Sequence, residues 1–101
     1  MDKPKARPAP ERWRIEFKGP KTRPALLKAI AAAMDFPPHF GVNLDALYDC
    51  LTDLPLRAGA THTVELVGLP RGSVGDPVHA VFVDAVDYWR DQGVRLDIVR
   101  D

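Results

Sequence analysis

His39-Phe40-Gly41-Val42-Asn43-Leu44-Asp45-Ala46-Leu47-Tyr48-Asp49-Cys50-Leu51-Thr52 reads as a loop entering a helix, and the rest of the chain is arranged around it. At about 100° per residue, Leu44, Leu47, Leu51 and Leu54 fall on one side. Asp45, Asp49 and Asp53 follow i, i+4, i+8 spacing on the opposite side. The leucines are expected to pack and the aspartates to face water. Asn43 suits the N-cap, because its side-chain oxygen accepts from the orphan backbone N–H groups of the first turn, and Asp45 sits where the helix dipole favours an anion. Asp49 and Asp53 have no such help: they lie toward the negative end of the dipole, and each like-charge i,i+4 pair costs roughly 0.2–0.5 kcal/mol. Residues 30–54 hold Asp35, Asp45, Asp49 and Asp53 and not one Lys or Arg. Stability alone would interleave a cation among these carboxylates, so the pattern points to a face that meets something positive. A solvated polar face with no further role is the competing reading.

Outward from this helix the chain alternates strands and helices. Trp13, Ile15 and Phe17 alternate with Arg14, Glu16 and Lys18 as a half-buried strand, ended by Gly19-Pro20. Thr22 and Pro24 open a helix whose Leu27, Ile30, Ala31 and Met34 form an apolar stripe, with Pro37-Pro38 as the stop. Past the acidic helix, Val64 and Leu66 mark a second strand, residues 70–75 a turn, and Asp76-Pro77 a cap and first turn. The helix begun there buries Val78, Val81, Phe82, Ala85 and Trp89 and ends near Gly93, after which Val94, Leu96 and Ile98 alternate with Arg95 and Asp97 as a last strand. Strands separated by helices imply right-handed crossovers and a small parallel sheet. Because the first and last strands alternate apolar and polar residues, helices are expected on one sheet face only. The fold class is therefore α/β, two-layer, with a small three-stranded parallel sheet packed against helices.

The 101 residues, 46% of them hydrophobic, suffice for one domain that folds without staples. A lone cysteine permits no internal disulfide, no apolar stretch reaches the length of a membrane span, and the N-terminus lacks an apolar signal core. A cytoplasmic protein with no membrane partner is expected. Formal net charge is zero, but residues 1–28 hold nine Lys or Arg against three acidic residues, so overall charge is no guide to the partner. Residues 1–11, rich in Pro, Lys and Ala and without periodicity, are expected to be a disordered basic tail, and residues 12–101 the domain. That tail could touch nucleic acid, although nucleic acid is not the favoured partner.

Other chemistries find little support. His39, His62, His79 and Cys50 show no metal-ligand spacing, and no metal or cofactor is expected. Cys50 lies beside the leucine stripe and reads as a small buried hydrophobe rather than a nucleophile. Ser73, the only serine, sits in Arg71-Gly72-Ser73-Val74-Gly75, which lacks the Lys and preceding strand of a phosphate loop. No nucleophile, base and orienting partner assemble, so the chain is not expected to be an enzyme. Tyr48 borders the apolar and acidic faces and reads as a contact aromatic. His39 is either a surface contact or packed against Pro38.

Residues 41–52 resemble the signature of the barstar family, small intracellular inhibitors of barnase-type ribonucleases. That signature is an aromatic pair, Gly, a variable residue, Asn-Leu-Asp-Ala-Leu, an aromatic, then Asp-Cys-Leu-Thr. The weaker resemblance in order and spacing of elements runs over residues 13–99. It implies a three-stranded parallel sheet backed by helices, with the acidic helix at one edge, and a loop and helix that plug a ribonuclease active site. By position Asp49 takes the principal anchoring role and Asp45 is the second carboxylate. Asn43, Gly41 and Thr52 match the pattern and would shape the loop and the edge of the contact, and His39, Phe40, Val42, Tyr48 and Asp53 complete the partner-binding set. Three positions depart from the best-known inhibitor: His39 replaces the first aromatic, Tyr48 replaces Trp, and Tyr88 stands where the last helix usually supplies an acid, with Asp84, Asp87 and Asp91 near it.

The expected function is inhibition of a barnase-type ribonuclease by an acidic loop and helix that mimic substrate, carboxylates replacing phosphate through charge-assisted hydrogen bonds. The alternative is a barstar-fold binding module for another basic protein, without ribonuclease inhibition, which the departures at His39, Tyr48 and Tyr88 favour. A nucleic-acid-associated protein acting through its basic tail is a third class.

Overall fold

The computed structural model describes residues 9–101. Most of the expected basic tail, residues 1–8, lies outside the described residues. Ala9 packs against the core, the ring of buried His62 hydrogen-bonds Pro10 O at 2.7 Å through Nδ1, and Thr63 N–H donates to Glu11 O at 2.8 Å. Residues 9–11 are therefore seated on the sheet.

The elements run β1 (Arg12–Glu16), α1 (Arg23–Met34), α2 (Leu44–Leu51), β2 (Thr61–Val67), α3 (Asp76–Asp91) and β3 (Arg95–Arg100). The strands form one parallel sheet in the order β1-β2-β3, with Trp13 beside Val64, Ile15 beside Leu66 and Val64 beside Ile98. Parallel neighbours need a crossover; α1 and α2 both fall in the first and α3 forms the second. Trp13 and Ile15, then His62, Val64 and Leu66, then Leu96, alternate into the core, where they meet Leu26, Leu27, Ile30, Val78, Phe82 and Ala85. The fold is the expected α/β arrangement.

Parallel sheets are usually covered on both faces. Here the alternate positions of the strands carry charge, and the charges pair: Arg12 and Arg14 with Glu65, Arg14 and Lys18 with Glu16, and Arg95 with Asp97. Lys18 first and Arg14 second hold the Glu16 carboxyl below the usual carboxylate range. This face is accordingly stable in water without a second helical layer.

Two boundaries differ from the sequence reading. Helix α1 stops at Met34 rather than at Pro37-Pro38, because Asp35 takes a left-handed conformation (φ 58°) and its N–H, with that of Phe36, closes on Ala31 O. Leu26 extends its apolar stripe, while Ala31 is only half-buried. Asp76 does not cap α3. It is the first helical residue, Gly75 precedes it at the cap without a side-chain bond, and the Asp76 carboxylate instead accepts from Arg100 Nη2 at 2.7 Å. Position 75 admits no larger residue, since a Cβ there would stand 1.8 Å from Pro70 O. Val81 of α3 is half-buried rather than buried. Among the described residues, no helix is long and apolar enough to cross a membrane.

Candidate partner-binding site

Helix α2 begins as its sequence dictates. Asn43 is extended at the N-cap, and its Oδ1 accepts from Ala46 N–H at 2.7 Å while its own N–H bonds Gly41 O at 2.7 Å, which ties the loop to the first turn. Leu47 and Leu51 are fully buried, and Leu44 and Leu54 half-buried. The apolar side packs mainly on α3 rather than on the sheet. Trp89 of α3 fastens the far end, its buried Nε1–H donating to Leu51 O at 2.9 Å. A carbonyl otherwise orphaned at the C-terminus of α2 is thereby satisfied.

Asp45 and Asp49 point into water from the opposite side. Among the described residues neither pairs with a Lys or Arg. Asp53 departs from the expected ridge. The helix ends at Leu51, Thr52 occupies the C-cap with its N–H and its hydroxyl both on Tyr48 O, and Asp53 N–H turns back to Cys50 O at 3.2 Å. Asp53 is exposed but lies in the closing turn beyond the helix, so two carboxylates, not three, are stacked along it. The Thr52 hydroxyl, expected near the edge of a contact, is engaged in this cap.

The loop residues divide. His39, Gly41 and Val42 are exposed. Phe40 is half-buried and tilted against Phe36 at 5.3 Å, so it braces the loop as well as bordering it. Tyr48 is half-buried at the boundary between the faces. Two open concavities flank the carboxylates. One, of about 410 Å³, lies between α2 and α3 and is lined by Leu44, Asp45, Tyr48, Asp49, Val81 and Asp84. The other, of about 650 Å³, is lined by Arg23, Val42, Asn43, Leu44, Asp45, Ala46 and Asp49. The acid that α3 brings to this cleft is thus Asp84, one turn before Tyr88, whose half-buried ring stands edge-on to Trp89 at 5.1 Å. The i, i+4 relation of Asp84 to Tyr88 was visible in the sequence. Nothing in the sequence signalled Arg23.

The chemistry available is that of hydrogen-bond acceptors and charge. Cys50 is half-buried, and burial first, then the fields of Asp49 and Asp53, push its thiol up, which suppresses the nucleophilic thiolate. Among the described residues no group of three or more His, Cys, Asp or Glu is arranged to hold a metal ion.

Residues 11–101 match the family model described as Barstar (barnase inhibitor). The chain belongs to the barstar family. It is also 40% identical over 62 residues to a Bacillus subtilis (strain 168) protein named "Putative ribonuclease inhibitor YrdF", a match covering 58% of this chain and 67% of that protein. In this member of the barstar family the acidic helix is held between a capped loop and Trp89, and its exposed side is flanked by an aspartate from α3 and an arginine from α1.

Proposed function

We infer that the chain is a proteinaceous inhibitor of a barnase-type ribonuclease, occluding the active site with loop 39–43 and α2. The observation that carries this reading is the position of Asp45 and Asp49: both are exposed, and neither is neutralised by another described residue, on a helix whose other side is locked into the core. Family membership and the name of the Bacillus relative support it. A ribonuclease must carry cations that hold phosphate, and carboxylates at fixed positions replace that phosphate with short, charge-assisted hydrogen bonds. Because capping, leucine packing and the Trp89 bond already order α2, little conformational entropy is left to lose on binding.

In this reading Asp49 is the anchor, Asp45 the second carboxylate and Asp84 a third from α3. Tyr48 supplies the aromatic contact, His39, Phe40, Gly41, Val42 and Asn43 form the loop, and Thr52 and Asp53 mark the edge. The inhibitor works without catalysis, as one domain that takes in residues 9–11 on the sheet together with the expected residues 12–101, behind a shorter basic tail, in the reducing cytoplasm where its single cysteine stays a thiol. Titration of the purified chain into barnase, with RNA cleavage as readout, tests it. Stoichiometric loss of cleavage is expected. No loss at micromolar excess would favour a barstar-fold module for another basic protein, the reading that the changed residues His39, Tyr48 and Tyr88 support.

A further inference from the structure

Arg23, the first residue of α1, lines the same concavity as Val42, Asn43, Asp45 and Asp49. Its guanidinium is held by two backbone carbonyls: Nε donates to Val74 O and Nη2 to Ser73 O, each at 2.9 Å. Both acceptors are neutral, and among the described residues Arg23 forms no ion pair. A whole positive charge is therefore fixed at the rim of the acidic face. Two of the guanidinium's five N–H groups are used in these bonds, and the others meet no protein acceptor among the described residues.

For a plain anionic plug this placement is unfavourable, because a fixed cation lowers the negative potential that Asp45 and Asp49 present to a basic partner. The concavity is two-signed, and its complement is a surface on which a carboxylate lies beside cations. A ribonuclease that cleaves through the 2′-hydroxyl needs a group to take that hydroxyl's proton, close to the cations that hold the phosphate. A carboxylate in that place would face Arg23 when Asp45 and Asp49 face the cations. We propose that Arg23 pairs with a carboxylate of the inhibited ribonuclease beside its phosphate-holding cations, and so acts as a specificity-determining contact of the inhibitor. The inference rests on the inhibitor reading above. The planar fork of arginine suits a carboxylate bidentately, and a basic partner lacking that acid meets an unpaired like charge and is rejected.

The test measures binding of the full chain to barnase for the unaltered protein, Arg23→Gln, Arg23→Lys and Asp49→Ala, with melting curves for each. Gln keeps a donor for the Ser73 and Val74 carbonyls and removes the charge; Lys keeps the charge and loses the fork. Arg23→Gln is expected to weaken binding by roughly tenfold, as loss of a hydrogen bond to a charged group does, and Arg23→Lys by less. Independently of how the variants fold, replacing the acids of barnase one at a time by their amides should reveal one that weakens binding of the unaltered chain and cancels the effect of Arg23→Gln. Arg23→Gln binding as tightly as, or more tightly than, the unaltered chain overturns the inference, as does an amide series without effect. If Asp49→Ala still weakens binding in those cases, the inhibitor reading stands alone. Failure of the unaltered chain to bind barnase overturns both.

Discussion

Asp45 and Asp49 line both concavities beside α2, whereas Asp53 lines neither. Replacement by alanine is accordingly expected to weaken ribonuclease binding least at Asp53, and, by the anchoring role that the barstar pattern gives Asp49, most at Asp49 and next at Asp45. Asp49→Ala should reach at least the hot-spot threshold of about 2 kcal/mol, roughly thirtyfold in Kd, a class of contact of which barstar is itself an example. Equal small losses at all three positions would reject the plug. On α3, Asp84→Asn should cost measurable affinity, while Asp87→Asn should cost little, because Asp87 is already paired with Arg90 at 3.0 Å and stands outside the cleft. Cys50 offers a check on packing: with its thiol pushed up by burial, alkylation at neutral pH should be slower in the native chain than in denaturant. Equal rates would mean that the flank of α2 is open.

Helix α2 has only eight residues, too few to be stable alone. Its persistence depends on Leu47, Leu51, the Asn43 cap and the bond from Trp89. Leu47→Ala should lower unfolding free energy by about 2–5 kcal/mol, the usual cost of emptying a core site. Trp89→Phe keeps most of the ring but strands Leu51 O, at a cost of roughly 1–3 kcal/mol. Since Trp89 is itself buried, a fall in ribonuclease affinity that accompanies its lower melting temperature would show that α3 orders the contact helix; unchanged affinity in a folded variant would show that it does not. The junction of β3 with α3 titrates differently. Arg100 first, and the Gly72 backbone second, hold the Asp76 carboxyl below its ordinary value. A lowered folded-state value gives stability that is present above the unfolded value and is lost as pH falls through the folded one, here below about pH 4. Acid unfolding should therefore begin its decline less steeply in Asp76→Asn than in the unaltered chain, as followed by melting temperature against pH.

At the scale of the molecule, charge is segregated although the sum is zero. The charges of the open sheet face pair with one another, while Asp45 and Asp49 form no ion pair with a described residue. Association with a basic partner should therefore be fast at low salt and slow as salt rises, with dissociation changing less, as stopped-flow mixing would show. Much of this could be read along the chain. Strand alternation around Trp13 and Leu96, the leucine stripe of α2 and the Asn43 cap follow from backbone periodicity and hydrogen bonding within a few residues, and these recur as expected in the folded protein. The same locality hid the rest. Asp53 looked like a third helical carboxylate because periodicity cannot see Thr52 turning its hydroxyl onto Tyr48 O and closing the helix. Asp84 and Arg23 joined the acidic face through the packing of α3 on α2 and through the anchoring of α1's first residue by carbonyls 50 and 51 positions away. Short-range chemistry was thus enough to place two aspartates on the outside of a capped helix; which other charges stand beside them depended on contacts between segments distant in sequence, set by side-chain volumes and hydrogen-bond partners that no local pattern encodes.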